Sequence, residues 1–290
     1  MSEFEAQEFS GGDPVKPERE GLPPGYRMRA DPHYVELLSS GARGGGDRSA
    51  RGEARGDTRT GPREADITSP ARVTRERRIF AHLVEEIAAI ESAATMLGGD
   101  ASALTRRVSL DLIKAQSARV SWLLRAQSIV AGVAPELEPR SRQVATLVAQ
   151  LRDRLAAECR LAGVSLQTAT ESNATVTVDD GAIALGVTGA FMALLPLMAG
   201  VEGASIRIEA IVEQDGDEDD LQAIEVSQDV VPLSATARQR FFDADWHERP
   251  GGWLAATGAA VAAATAERMG GRAALNAGAR RGCTIRIGFA

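Results

Sequence analysis

Hydrophobic residues recur at helical spacing in two consecutive segments in the first half of the chain. In residues 79–97 the apolar positions follow one another at steps of four, four, three, four and three, so they form one stripe along an α-helix. Gly98 and Gly99 end this segment, and a second helix with its own apolar side is predicted over 103–130. The first stripe consists of Ile79, Leu83, Ile87, Ile90, Ala94 and Leu97.

These two helices predict a long antiparallel hairpin, because the turn between them is short. One hairpin alone has no surface with which to cover both apolar stripes. We therefore expect two chains to associate as a homodimer, in which the paired hairpins form a four-helix bundle. This dimerisation hairpin is predicted to occupy residues 73–134.

The remainder of the chain, residues 139–290, mixes helical and strand patterns. Helices are predicted over 141–161, 181–199 and 259–268. Strands are predicted from 164 onward and over 204–213, 221–227 and 283–289. The predicted fold class is therefore α+β, a long helical hairpin followed by an α/β sandwich.

The first 72 residues differ in composition from the rest. Residues 41–64 contain no large apolar side chain, so this part cannot bury enough surface to offset its conformational entropy, and we expect residues 1–72 to form a disordered tail. A short island at 23–38 holds both tyrosines of the chain. Two interpretations of the island stay open, because it either docks onto a partner or packs against the protein's own body.

Charge and cysteine content exclude several classes of protein. A formal net charge of −7 gives no electrostatic basis for binding nucleic acid. The two cysteines are far apart and have no Cys or His at metal-ligand spacing, so we expect neither a structural metal nor a disulfide framework. The N-terminal residues lack a signal-peptide pattern, and no apolar run reaches the roughly 18 residues of a membrane span. We expect a cytoplasmic protein without a membrane partner.

Several short motifs resemble a known family. The second predicted helix carries LIKAQSAR at 112–119 and LL at 123–124, AG follows at 131–132, and the first helix ends in ML at 96–97. Together with the hairpin and the α/β region, these motifs look most like the ChpT-type histidine phosphotransferases, over about 73–290. That family has a degenerate histidine-kinase core without ATP binding and relays phosphate between response-regulator receiver domains. The resemblance implies a degenerate ATPase-like domain over 139–290.

The resemblance places the phosphoaccepting histidine of the family close to His82, the single histidine in the first predicted helix. An imidazole is nucleophilic near neutral pH and is oriented by a hydrogen bond at its second nitrogen. An acidic residue usually follows this histidine in the family, whereas Leu83 follows here, so we expect Glu86 to orient the ring. Glu85 and Ala89 flank the same helix face and are the predicted contacts of a receiver domain. A surface histidine beside the dimer seam is the other interpretation.

The motifs that bind nucleotide in histidine kinases are altered at the corresponding positions. Residues 185–196, which correspond to the helix that holds Mg²⁺, contain no charged residue and no asparagine, so no hard cation site is expected. Val230 and Pro232 replace the flexible glycines beside the base-reading aspartate, for which Asp229 is the candidate. Gly251 and Gly252 precede a bulky apolar segment instead of a phosphate loop. We expect no bound cofactor.

The resemblance therefore implies a signalling protein that docks receiver domains and relays phosphate through a histidine without ATP. It would be a phosphotransferase if His82 accepts phosphate, and not an ATP-dependent kinase in either case. A second interpretation stays open, in which the chain is a catalytically inactive pseudo-kinase adaptor or antagonist that acts only by protein–protein binding.

Overall fold

The computed structural model describes residues 70–98, 100–130, 136–170, 174–215, 218–246, 251–277 and 282–289. Most of the predicted tail, including the island at 23–38, lies outside these described residues. The first described helix begins at Pro70, three residues before the predicted start of the hairpin at 73.

Two long helices open the described chain. Helix α1 spans Pro70–Met96 and helix α2 spans Ala103–Val130, and they lie side by side. At the start of α2 the Ser102 hydroxyl accepts a hydrogen bond of 3.0 Å from the backbone N–H of Thr105, which satisfies one free donor of the first turn. The helices predicted over 79–97 and 103–130 are therefore present, and α1 begins earlier than its apolar stripe, at Pro70.

The α/β part follows these helices with four more helices and seven strands among the described residues. In chain order these are β1 (Arg140–Gln143), α3 (Val144–Ala162), β2 (Ser165–Ala169), β3 (Thr175–Val178), α4 (Asp180–Met198), β4 (Ser205–Asp215), β5 (Glu218–Gln228), α5 (Ala235–Gln239), α6 (Gly252–Arg268), β6 (Ala273–Ala277) and β7 (Cys283–Gly288). The protein is thus a mixed α+β structure, as its sequence pattern predicts.

A five-stranded sheet in the order β2-β4-β5-β7-β6 forms the frame of this part. The pair β2–β4 is parallel and the other pairs are antiparallel. Along β4, Ile206 and Ile208 are buried, whereas Arg207 is exposed, so the two faces alternate with the pleat. Helices α3, α4 and α6 contact the apolar face of the sheet. The opposite face carries polar side chains.

Helix α4 is the centre of the core. Most of its residues are buried, because the sheet contacts one side and α3 and α6 contact the others. Within the part of the chain that the structure describes, α4 alone is long and apolar enough to cross a membrane, and 83% of that apolar window is buried inside the structure. Its uniformly apolar composition is that of a core helix. Asp179 caps it by accepting a hydrogen bond from the N–H of Ala182.

Two predicted element boundaries are wrong. A helix was expected from 141, but residues 140–143 form β1 and pair with β3 before α3 begins at Val144. Neither short strand was predicted, because four residues show too little alternation to identify a strand and the pairing is not local. Helix α6 starts at Gly252, seven residues earlier than expected, since its first turns are apolar on every side.

Polar contacts join the two long helices to the α/β part. The indole N–H of Trp122 in α2 donates a hydrogen bond of 3.1 Å to the carbonyl oxygen of Leu185 in α4. Arg160 in α3 holds the carboxylate of Asp111 through two nitrogen–oxygen contacts of 2.8 and 2.6 Å. This pairing keeps the pKa of Asp111 below its ordinary value. The hairpin is therefore attached to the domain along α2.

Candidate functional site

His82 lies at the junction between the hairpin and the α/β part. Its imidazole stacks on the indole of Trp253, with ring centroids 5.0 Å apart and the ring planes inclined by 7°. The side chain of His82 is 20% exposed, and Trp253 is buried. His82 is thus neither a free surface side chain nor a core residue, because α6 covers one face of its ring.

Glu85 supplies the polar partner of His82. Its carboxylate oxygen Oε2 lies 3.2 Å from Nδ1 of the imidazole. The pKa of His82 is lowered because burial disfavours the charged ring; Glu85 opposes this shift, and the nearby cation of Arg119 reinforces it. The lowered pKa favours the uncharged form of the ring. A neutral ring that donates from Nδ1 to Glu85 has its lone pair on Nε2, the nitrogen that acts as a nucleophile.

Glu86 does not make the contact with the ring that was predicted for it. Its carboxylate Oε1 accepts a hydrogen bond of 2.8 Å from Nη1 of Arg119, and the residue is 7% exposed. Residue 86 lies one turn after His82, on the side of α1 that faces α2, so its side chain enters the interior. The ring contact belongs instead to Glu85, three residues after His82.

Arg119 forms ion pairs with two buried carboxylates. Besides Glu86 of α1, its guanidinium holds Glu158 of α3 in a fork, with Nη2–Oε2 at 2.8 Å and Nε–Oε1 at 3.2 Å. All three side chains are less than 10% exposed. The pKa of Glu86 is raised because burial disfavours its charged form, and the Arg119 cation opposes this effect. This triad ties α1, α2 and α3 together one turn from His82.

The two residues predicted to contact a receiver domain differ in exposure. The side chain of Glu85 is 53% exposed, whereas Ala89 is half-buried. Both lie on α1 beside His82. The face of α1 that contains His82 is therefore partly occupied by the protein's own α2 and α6, and the exposed part is the side of Glu85.

A second apolar stripe on α1 points outward. Phe80, Val84 and Ile87 are 60%, 66% and 47% exposed, and their steps of four and three place them on one face. Ile87 was expected in the same stripe as Ile79 and Leu83, but those two residues are buried against the rest of the chain. The sequence contained the signal for two stripes, since Phe80 and Val84 are also spaced at helical intervals.

Helix α2 also exposes large apolar side chains. Leu110 and Leu124 lie close to four helical turns apart, so they share a face, and Leu104 and Val108 share another. Each is between 40% and 54% exposed. Exposed apolar residues in such number on one pair of helices are typical of an interaction surface.

Helices α4 and α6 approach each other through glycines in the region that corresponds to the nucleotide motifs. A Cβ atom added at Gly189 would lie 2.6 Å from the carbonyl oxygen of Gly258, and one added at Gly258 would lie 2.5 Å from that of Gly189. Only glycine fits at such distances. At this point the two backbones are in contact, and no space for a phosphate group separates them.

Asp229, the candidate base-reading residue, lies away from the contact between α4 and α6. It follows β5 and lines a cavity of about 390 Å³ together with Arg207, Ser227 and Thr284, which belong to the outer face of the sheet. The helices α4 and α6 cover the opposite face. The structure therefore does not bring Asp229 and the glycines of α6 to one site. Among the described residues, no group of three or more His, Cys, Asp or Glu side chains is placed to hold a metal ion.

Comparison with known proteins gives a similarity of fold only. No protein-family model matches the sequence, and no curated protein matches it. Among solved structures, the chain is similar to the Acinetobacter baumannii histidine kinase AdeS, with 14% identity, a TM-score of 0.44 and coverage of 73% of this chain and 96% of that one.

Two further structures give similar values. A bacterial phosphotransferase has 14% identity and a TM-score of 0.41, with coverage of 76% of this chain and 97% of that one. The catalytic domain of histidine kinase ThkA has 13% identity and a TM-score of 0.40, with coverage of 52% and 96%. Two of these three structures are histidine kinases, and the third is a phosphotransferase.

Proposed function

We propose that this protein is a histidine-phosphotransferase-like signalling protein that docks response-regulator receiver domains and relays phosphate through His82 without binding ATP. The observation that supports it best is the state of His82. A pKa lowered by burial favours the neutral imidazole, its Nδ1 faces Glu85, and Nε2 is then the nitrogen with a free lone pair. A partly exposed nucleophile at the edge of an exposed helix surface is suited to a reaction with a macromolecular donor.

The transfer step follows from these contacts. Nε2 of His82 attacks the phosphorus of an aspartyl phosphate on the receiver, so an N–P bond forms and the O–P bond to the aspartate breaks, with the carboxylate as leaving group. The proton on Nδ1 stays in place, and the ring becomes cationic. Glu85 stabilises that charge from 3.2 Å. The reverse step passes the phosphoryl group to a second receiver.

The absence of ATP binding is part of the proposal. It is supported by the contact between Gly189 and Gly258, which closes the space between α4 and α6, and by the lack of charged side chains on α4 between 185 and 196. The position of Asp229 on the other side of the sheet adds to this argument. Calorimetry with ATP and Mg²⁺ tests this part, and a micromolar affinity would contradict it.

Homodimerisation is also part of the proposal. The stripe of Phe80, Val84 and Ile87 and the apolar residues of α2 remain exposed in the single chain, and pairing of two hairpins would cover them. A dimer formed along this surface leaves the side of Glu85 as the approach for a receiver domain.

The central experiment measures phosphate transfer from receiver domains of the same organism, each charged with labelled acetyl phosphate. Wild-type chain is expected to take up label from at least one receiver, and His82→Ala is expected to abolish the uptake while keeping the same circular dichroism spectrum. The matched controls are His33→Ala and His247→Ala, which remove the other two histidines of the chain and are expected to leave transfer unchanged. Label on the His82→Ala chain would contradict the assignment.

A second candidate function is supported by the stack on Trp253. Because the indole covers one face of the imidazole, the chain is also compatible with a pseudo-kinase adaptor or antagonist that binds a receiver without chemistry. The same experiment separates the two. Receiver binding without label transfer favours the adaptor, and neither binding nor transfer with any receiver contradicts both functions.

A further inference from the structure

Two tryptophans in the α/β part are buried to a similar degree, but only Trp253 contacts a candidate nucleophile. Trp253 is 4% exposed and stacks on His82, whereas Trp246 is 8% exposed and lies under the guanidinium of Arg240. An offset stack of two aromatic rings stabilises beyond the area that it buries. The nearly parallel stack of Trp253 on His82 therefore indicates a specific role for this indole.

The local backbone places this indole with little freedom. Gly251, at φ 78°, precedes α6, and Gly252, at φ 53°, is the first residue of the helix. A side chain at 251 would collide with the ring of Pro196 at the end of α4. Trp253 thus leaves α6 in a fixed direction, toward α1.

The surroundings of the indole also restrain it. Ile79 of α1 and Leu123 of α2 lie beside Trp253 around a small apolar gap of about 20 Å³, which is too small for the ring to turn over. The stacked imidazole is also held at its edge by the Nδ1 contact with Glu85. An indole on the ring face and a carboxylate on one ring nitrogen together define the plane and the rotation of the imidazole.

We infer that Trp253 is the positioning residue of His82: its indole fixes the plane of the imidazole so that Nε2 is the nitrogen presented for phosphorylation, and it shields one face of the phosphorylated ring from water. This inference rests on the proposed function of His82. Trp253 itself does not touch the phosphoryl group and acts only through the imidazole. An offset stack of this kind changes an equilibrium or a rate by about two- to tenfold.

The test uses potassium phosphoramidate, which phosphorylates imidazoles without a receiver domain. In this reaction Nε2 attacks phosphorus, the P–N bond of phosphoramidate breaks and ammonia leaves. Full-length wild type, Trp253→Phe and Trp253→Leu are compared by ³¹P NMR, which reports the phosphorylated nitrogen, and by the half-life of phosphohistidine. Trp246→Leu is the matched control, since it removes a similarly buried indole that lies under Arg240.

The expected result for wild type and Trp253→Phe is phosphorylation at Nε2 with a long half-life, because phenylalanine preserves the stack. Trp253→Leu is expected to give both nitrogen isomers or a half-life about two- to tenfold shorter. Trp246→Leu is expected to match wild type. The same isomer and half-life in Trp253→Leu and wild type would overturn the inference, and so would an equal effect of Trp246→Leu, which would indicate a general loss of packing.

This design separates the inference from the function on which it rests. If phosphoramidate chemistry at His82 depends on Trp253 but no receiver domain transfers phosphate, the positioning role stands and the relay fails. If receivers phosphorylate His82 equally well in wild type and Trp253→Leu, and the phosphoramidate products are also identical, the relay stands and the positioning role fails.

Discussion

Replacement of Arg119 by leucine tests the junction that holds His82 in place. The substitution keeps a large aliphatic side chain in α2 but removes the cation shared by Glu86 and Glu158. The guanidinium contacts these carboxylates at 2.8 Å through Nη1 and at 2.8 Å through Nη2, and all three side chains are less than 10% exposed. The substitution therefore takes the guanidinium away from two buried carboxylates.

The expected cost follows from this geometry. Removing one partner of a buried ion pair lowers the free energy of unfolding by about 3–5 kcal/mol, since the remaining charge stays desolvated. A protein of this size loses roughly 2–4 °C of Tm for each kcal/mol, so the melting temperature is expected to fall by about 6–20 °C. The exposed pair of Arg152 and Asp153 is the matched control, and Arg152→Leu is expected to cost less than about 1 kcal/mol.

The pH dependence identifies the cause of the loss. The pKa of Glu86 is already raised by burial, and removal of Arg119, whose cation opposes this shift, raises it further. The stability contribution of a group with a raised pKa is fully present below its unfolded pKa and is lost as the pH rises through its folded pKa. The deficit of Arg119→Leu relative to wild type is therefore expected to be largest at pH 8 and to shrink toward pH 5.

Urea unfolding followed by circular dichroism at both pH values gives the two free energies. An additional chain, Arg119→Leu with Glu86→Gln and Glu158→Gln, is expected to recover part of the loss, because neutral amides cost less to bury than carboxylates. An equal loss at pH 5 and pH 8, without recovery in the triple variant, would refute the electrostatic reasoning and indicate a packing defect.

Three further predictions concern packing, acid stability and assembly. Gly258→Ala is expected to lower the free energy of unfolding by about 1–3 kcal/mol, measured by urea titration, because its Cβ would meet the carbonyl of Gly189, although alanine is the better helix former. Asp111→Asn is expected to flatten the loss of Tm between about pH 5 and pH 2, because a carboxyl with a lowered pKa stabilises above its unfolded pKa and loses that contribution as the pH falls. Ile87→Asp combined with Leu124→Asp is expected to convert a dimer to a monomer in sedimentation at micromolar concentration; a wild-type monomer would contradict the assembly.

The local pattern of the sequence was sufficient to predict the α+β class and most elements. Periodicity of apolar residues depends only on neighbours a few positions away, so α1, α2 and α4 could be located to within a few residues. The same pattern indicated that the long helices have an apolar side. The apolar pattern did not show that Ile79 and Leu83 face inward whereas Phe80 and Val84 face solvent. That difference depends on which surface of the helix packs against the α/β part.

The resemblance of the sequence to a phosphotransferase family also led to His82 as the candidate nucleophile and to the expectation of altered nucleotide motifs. Only the tertiary structure decided the partners of His82, since Trp253 is distant in sequence and both Glu85 and Glu86 lie about one helical turn after it. The orientation of α1 about its axis decides which acid contacts the ring, because it directs Glu86 toward the buried guanidinium of Arg119. Contacts of this kind depend on how elements pack, and a one-dimensional pattern contains no record of that packing.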